Sequence, residues 1–191
     1  YQMKENLISE LTNWVKPFFP DKCSISRASS DASFRSYYRV SSPDSTKIIM
    51  VAPPEHEPLE SFLDITQRLF KANINIPKIY KVDKSRGLLL MSDLGKDKYL
   101  DVLNKETLYC LYTDAIDCLC KMQNDTDKTG LKTFDKLEQI KEMTLFDEWF
   151  VNKHLNISLS KEQYEKIHQC YNDIYSIILQ IPKTFVHRDF H

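Results

Sequence analysis

The sequence predicts an α+β fold in which an antiparallel sheet with one helix is followed by a mainly helical half. Short β-forming runs, separated by polar or proline-containing turns, fill residues 23–91 and enclose one amphipathic run. After residue 92 the apolar residues recur at helical spacing. Because the links between strands are short, we expect antiparallel neighbours and not a parallel βαβ sheet. The composition changes at 92–96, which predicts two lobes, 1–92 and 93–191.

The elements of the first half follow from their apolar spacing. Leu7, Leu11, Trp14 and other apolar residues predict an N-terminal helix, which the prolines at 17 and 20 end. The amphipathic run predicts a second helix at 55–70, with acidic residues near its positive N-terminal end. Strands are predicted at 23–29, 34–40, 47–52, 76–82 and 87–91.

The second half reads as a series of helices. A long helix is predicted around 108–122, and shorter ones around 137–140 and 145–150. Ser160 and Gln163 form a capping-box pattern that opens the last helix. A short apolar strand is predicted at 181–186, directly before the final five residues.

Composition excludes several classes of protein. The net charge of −1 gives no global basic field for nucleic acid or an anionic membrane, and no apolar run approaches membrane-spanning length. Five cysteines, an odd number without a Cys-x-x-Cys pair, predict free thiols in a reducing cytoplasm and no zinc site. Three glycines are too few for a Walker or Rossmann phosphate loop.

The chain closes with His187-Arg188-Asp189, directly after the predicted strand. A His-Arg-Asp triplet in this setting is typical of the catalytic loop of protein-kinase-like enzymes. There the aspartate accepts the proton of the attacking hydroxyl, and an asparagine five residues later holds magnesium. That position would fall beyond His191, so we expect a chain cut inside its active site. This predicts a protein-kinase-like bilobal fold with a partial helical second lobe. A charged surface loop is the alternative.

A nucleotide site is predicted between the two lobes. The small residues between the first two strands leave backbone N–H groups able to approach a phosphate, although a plain hairpin turn explains them equally well. The segment joining the lobes would bind adenine through its backbone. The residues assigned to the nucleotide are Ser30, Asp31, Ala32 and Ser33 in the turn, and Met91, Ser92, Asp93 and Leu94 in the joining segment.

Five separated blocks carry a family resemblance: residues 30–40, 50–55, 88–95, 145–150 and 185–191. In this order they resemble the aminoglycoside phosphotransferase and choline kinase superfamily. More narrowly they are similar to bacterial kinases that phosphorylate the anomeric hydroxyl of N-acetylmuramate and N-acetylglucosamine in cell-wall recycling. The resemblance implies an ATP- and Mg²⁺-dependent small-molecule kinase in the cytoplasm. It also implies that Asp189 is the catalytic base and that His187 braces its loop.

The sequence departs from the kinase pattern at two points, so alternative functions stay open. Met50 occupies the third-strand position where other kinases carry a lysine, so Arg35 or Arg39 is a candidate substitute. The expected metal ligands lie beyond His191, so we expect negligible turnover from this polypeptide alone. A kinase for another hydroxyl, such as an aminoglycoside, choline or homoserine, is the second hypothesis. A non-catalytic nucleotide-binding pseudokinase is the third.

Overall fold

One antiparallel sheet dominates the first part of the chain. The computed structural model describes the backbone of residues 2–30 and 34–190 and the side chains of residues 6–28 and 34–190. Within these residues the sheet order is β1-β2-β3-β5-β4, with every pair antiparallel. The predicted α+β class is therefore confirmed. The strands are β1 (Ser24–Ser30), β2 (Ser36–Ser41), β3 (Thr46–Val51), β4 (Ile79–Asp83) and β5 (Leu88–Ser92).

The chain divides into two compact units, Tyr1–Thr126 and Asp127–His191. The predicted lobes, 1–92 and 93–191, stay a prediction. The first unit contains the sheet and the helices α1 (Gln2–Val15), α2 (Leu59–Lys71), α3 (Tyr99–Val102) and α4 (Leu108–Asp125), with a 3₁₀ turn (Lys16–Phe18) after α1. The second unit contains α5 (Lys136–Leu145), a π-helix (Phe146–His154) and α6 (Lys161–Ile178).

Helices cover both faces of the sheet. On one face, Leu11, Trp14 and Val15 of α1 pack with Ile49 and Leu90. The opposite face carries a second cluster beneath α2, formed by Met50, Ala52, Leu59, Leu89 and Met91. Successive strand residues point to opposite faces, so residues 48–51 of β3 and 88–91 of β5 are apolar at every position and contribute to both clusters. Their continuous runs therefore lie at the centre of the sheet.

Prolines move two element boundaries away from the predicted positions. The prediction of a helix from residue 55 was wrong, because α2 begins at Leu59 with Pro58 as its N-cap. Proline disfavours helical backbone at the residue before it, so Pro58 keeps Glu57 outside the helix. Likewise β4 begins at Ile79, after Pro77, which lacks the N–H that a strand ladder requires.

Gly87 allows the β4–β5 turn to approach the end of β3. The residue has φ +65°, and its carbonyl accepts a hydrogen bond of 2.8 Å from the N–H of Ala52. A Cβ at this position would lie 1.7 Å from the Ala52 carbonyl oxygen. Both the left-handed backbone and the close contact require glycine here.

The second unit confirms one local prediction and corrects another. Ser160 Oγ accepts from the N–H of Gln163, and the Gln163 side chain accepts from the N–H of Ser160, so the capping box is present. The strand predicted at 181–186 is wrong: these residues form no ladder, because no described segment of this unit offers a partner strand. Phe185 is nevertheless buried. No helix in the described residues is long and apolar enough to cross a membrane.

Candidate active site

The segment after β5 is fixed by an ion pair to the second strand. Arg39 Nε donates to Asp93 Oδ2 at 2.5 Å, and Arg39 Nη2 donates to Asp93 Oδ1 at 2.9 Å. The same Nη2 donates to the carbonyl of Gly95 at 2.8 Å, and the N–H of Gly95 donates to Asp93 Oδ1 at 3.0 Å. A two-bonded guanidinium–carboxylate pair fixes both position and orientation. This ion pair therefore holds the backbone of the segment against the sheet.

The electrostatics of the ion pair follow from these contacts. Hydrogen bonding from Arg39 is the main cause that lowers the pKa of Asp93 to about 2, against the desolvation that raises it. The same hydrogen bond raises the pKa of Arg39. The carboxyl group is only 6% exposed and the guanidinium-bearing side chain 15%. Both groups are thus charged at neutral pH, and little water screens their attraction.

The four residues predicted to bind adenine have different environments. Met91 is buried in the cluster under α2, and Ser92 ends β5, where its N–H donates to the Lys78 carbonyl at 2.8 Å. Its hydroxyl accepts from the N–H of Lys78 at 2.9 Å. Asp93 is in the ion pair, and Leu94 is 65% exposed. Their contact with adenine stays a prediction.

The phosphate-binding turn lies mostly outside the described residues. Ser30 is the last residue of β1, whereas Asp31, Ala32 and Ser33 are outside the described part of the chain. The described ladder between β1 and β2 has an irregularity between Arg27 and Ser29. The predicted approach of these residues to phosphate stays a prediction.

The lysine of β3, Lys47, lies on the opposite face of the sheet from Met50, which occupies the position expected for a phosphate-binding lysine. Met50 is fully buried under α2, beside Ala52 and Leu89. Lys47 is two residues before Ile49, so both side chains lie on the face of the sheet that packs against α1. Its Nζ is 4.8 Å from the ring centroid of Phe19 on that face. Lys47 therefore does not replace the absent lysine.

Arg35 lies next to α2. Its Nη2 is 2.6 Å from Glu57 Oε2, and its guanidinium carbon is 5.6 Å from the ring centroid of Phe62 in α2. Of the two arginines proposed as substitutes, Arg39 is bound to Asp93 and Arg35 to Glu57.

The predicted catalytic loop lies in the second unit and is exposed. His187, Arg188 and Asp189 are all exposed, and Arg188 has φ +70°. Arg188 pairs with Glu142, and its guanidinium lies 5.1 Å from the ring centroid of Phe134. Arg188 thus ties the loop to α5 and the segment before it. The roles of Asp189 and His187 stay predictions.

His187 has a local contact that is compatible with a bracing role. Its ring lies edge-on to Phe190, with the centroids 6.0 Å apart. This contact spans Asp189, so it limits the conformations that the aspartate backbone can adopt.

A buried polar cluster in the second unit was missed by the sequence reasoning. Asp147, in the π-helix, is 2% exposed and accepts a 2.7 Å hydrogen bond from the Tyr171 hydroxyl. His168 Nε2 lies 3.6 Å from the other carboxyl oxygen. Burial and this hydrogen bond raise the pKa of Tyr171. A carboxylate inside the aromatic run 145–150 was the available signal, because a buried charge needs a donor.

Potential metal ligands are dispersed over the part of the chain that the structure describes. Among residues 2–30 and 34–190, no three histidine, cysteine, aspartate or glutamate side chains are grouped so that they could hold an ion. The magnesium ligands expected beyond His191 stay a prediction.

A His-Arg-Asp triplet is typical of the catalytic loop of protein-kinase-like phosphoryl-transfer enzymes. Residues 24–191 match the family model described as the phosphotransferase enzyme family, APH. The chain belongs to this family. The match also confirms the protein-kinase-like fold class that the resemblance implied.

Three relatives bear the name N-acetylmuramate/N-acetylglucosamine kinase. The protein from Pseudomonas putida is 37% identical over 170 residues, covering 87% of this chain and 49% of the relative. The protein from Pseudomonas aeruginosa is 34% identical, with 85% and 48% covered. The protein from Neisseria meningitidis is 30% identical, with 95% and 55% covered. The chain thus spans about half the length of the curated relatives it matches.

Proposed function

We propose that the protein containing this chain is an ATP-dependent small-molecule kinase. Its proposed acceptor is the anomeric hydroxyl of N-acetylmuramate or N-acetylglucosamine. The observation that carries the proposal is the match to three amino-sugar kinases, the first at 37% identity across 87% of this chain. Membership of the phosphotransferase family supports the reaction type.

The proposed chemistry uses Asp189 as the proton acceptor. The acceptor hydroxyl oxygen bonds to the γ-phosphorus of ATP, and the bond from that phosphorus to the β–γ bridging oxygen breaks, so ADP leaves. The hydroxyl proton passes to the Asp189 carboxylate. His187 and Arg188 position this carboxylate through their contacts with Phe190 and Glu142.

In the first unit, the proposed contribution is nucleotide positioning. The Arg39–Asp93 ion pair holds the segment that would bond adenine, and a fixed base places the phosphates reproducibly for transfer. Magnesium would accompany the nucleotide and neutralise phosphate charge, as in other kinases. We place the reaction in the cytoplasm, where ATP is available and where the five free cysteines would stay reduced.

Met50 favours a second candidate function, a nucleotide-binding pseudokinase. The residue is fully buried at the position of the expected lysine, so that position supplies no charge to the phosphates. Such a protein would bind ATP without releasing ADP.

The protein expressed from its complete reading frame tests these alternatives. Purified protein is incubated with ATP, Mg²⁺ and, in separate samples, N-acetylmuramate, N-acetylglucosamine, choline, homoserine and an aminoglycoside. ADP release and ³¹P NMR of the product are measured. We expect ADP and a sugar 1-phosphate only with the two amino sugars. Phosphorylation of another panel member instead would replace the proposed substrate, and ATP binding without ADP release would favour the pseudokinase.

A further inference from the structure

The sheet face beneath α2 has an arginine near each end and methionine between them. Tyr37 opposes Met50, which opposes Leu89. Two residues along the strands, Arg39 opposes Ile48, which opposes Met91. Directly opposed residues share a face, so these side chains form one surface. Its centre is apolar and carries no charge for a phosphate group.

Arg39 is at the end of this surface nearest to Ser92. All of its described polar contacts hold the segment after β5: two hydrogen bonds to Asp93 and one to Gly95. The role proposed for Arg39 is therefore to position the segment that would bind the base. At ~3.3 Å per residue, Arg35 lies about 13 Å from Arg39, towards the N-terminal end of the second strand. A nucleoside triphosphate has a comparable span from its base to its terminal phosphate.

Arg35 is held at the other end by the loop before α2. The Arg35–Glu57 contact is 2.6 Å, and the next ring pair along, Phe34 with His56, is stacked at 4.5 Å with an interplanar angle of 19°. Two consecutive residues of each segment are thus joined. The Arg35 side chain keeps 30% of its surface exposed, so it is partly open to solvent.

We propose that Arg35, oriented by Glu57, is the cation that binds the nucleotide phosphates in this protein. In protein kinases a third-strand lysine pairs with a glutamate of the helix packed on the sheet, and that lysine contacts the phosphates. Here an arginine before β2 and a glutamate before α2 form a pair of the same charges on the same face of the sheet. This inference rests on the proposed nucleotide chemistry.

The guanidinium group suits this role for geometric reasons. Its planar fork can engage two phosphate oxygens together, whereas an ammonium group acts as a point charge. Phe62 supports one face of the fork from α2, at 5.6 Å between the guanidinium carbon and the ring centroid. A side chain that is already oriented by Glu57 and Phe62 loses less conformational freedom when it binds an anion.

Selective loss of phosphate recognition tests the proposal. In protein expressed from the complete reading frame, calorimetry measures the affinities of ATP, ADP and adenosine for wild type, Arg35→Gln and Arg35→Lys. We expect Arg35→Gln to weaken ATP binding about tenfold to hundredfold, the loss of a charge-assisted hydrogen bond. Adenosine affinity stays within about twofold, because the base contacts lie elsewhere. Arg35→Lys recovers part of the loss.

The matched control is Arg27→Gln. Arg27 is exposed on β1 opposite Tyr38, a residue of the α1-side cluster, so it lies on the other face of the sheet. We expect its nucleotide affinities to equal those of the wild type. Retained adenosine binding shows that Arg35→Gln is folded; if that variant does not fold, Arg35→Lys still shows an ATP-specific loss.

Several results would overturn the inference. Unchanged ATP affinity in Arg35→Gln, an equal loss of ATP and adenosine affinity in both variants, or no nucleotide binding by the wild type would each do so. Failure of the proposed sugar chemistry is a separate result: it appears as absent sugar phosphate, while the ATP-to-adenosine contrast still supports or contradicts the role of Arg35.

Discussion

Removing the charge of Asp93 should destabilise the sheet unit in a pH-dependent way. Asp93→Asn keeps the shape of the side chain but replaces a carboxylate whose pKa is about 2, compared with an ordinary value of 3.8. That difference corresponds to about 2 kcal/mol of folding stability at neutral pH. A surface pair would contribute far less, but this carboxylate is only 6% exposed.

The pH dependence has a definite sign. Because the pKa is lower in the folded state, the stabilisation is fully present above about pH 4 and is lost as the pH falls towards 2. Wild type and Asp93→Asn should therefore differ by about 2 kcal/mol at pH 7 and converge between pH 4 and pH 2. Comparing the two proteins at each pH cancels the titration of the other carboxylates.

Urea unfolding followed by fluorescence measures this difference. The chain has two tryptophans, and in a Trp149→Phe background the signal comes from Trp14, which is buried against the sheet. Asp64→Asn is the matched control, because Asp64 pairs with Arg68 within α2 and is 49% exposed; we expect a change of at most about 0.5 kcal/mol. A difference between wild type and Asp93→Asn that stays constant from pH 7 to 2.5 would refute the reasoning.

Two further substitutions test packing in each unit. Gly87→Ala should lower the free energy of unfolding by about 2–4 kcal/mol, because its Cβ would meet a backbone oxygen at 1.7 Å. Gly95→Ala should lower it by only about 1–2 kcal/mol, because its φ is +99° but nothing lies within 4 Å of the added Cβ. Equal losses for the two variants in urea unfolding would contradict the predicted clash at Gly87. Tyr171→Phe should cost about 1–3 kcal/mol by removing the hydroxyl that donates to buried Asp147, whereas Tyr164→Phe, at an exposed position, should cost less than about 0.5 kcal/mol. A neutral Tyr171→Phe would exclude a structural role for that hydrogen bond.

The sheet could be predicted because its signals are local. The five strands follow from continuous or alternating apolar runs and from short polar links, which force neighbouring strands to be antiparallel. The capping box at Ser160 was also readable, since both of its hydrogen bonds connect residues three apart. The start of α2 was predicted four residues too early, at 55, although Pro58 in the sequence marks the boundary before Leu59.

The ion pair that fixes the segment after β5 could not be predicted from local signals. Arg39 and Asp93 are 54 residues apart, and their pairing depends on the β2–β3–β5 order of the sheet. Once that order is known, Arg39, Ile48 and Met91 are seen to share a face, and Asp93 is two residues further on. From sequence alone, Arg35 and Arg39 were therefore equal candidates for a phosphate-binding cation.

The end of the second unit shows a different limit. An apolar run at 181–186 has strand-forming residues, but a strand exists only where a partner supplies the other half of its hydrogen bonds. Phe185 is buried without a ladder, so its hydrophobicity was real evidence of packing and not of a strand.

The rate of phosphoryl transfer by Asp189→Asn tests the central claim most directly. The measurement is single-turnover ADP formation by protein from the complete reading frame, with ATP, Mg²⁺ and N-acetylmuramate. Asp173→Asn, which removes an exposed carboxylate in α6, is the control. We expect Asp189→Asn to be slower by about 10²–10⁴-fold and the control to match the wild type. An Asp189→Asn rate equal to that of the wild type would contradict the assignment of this residue as the proton acceptor.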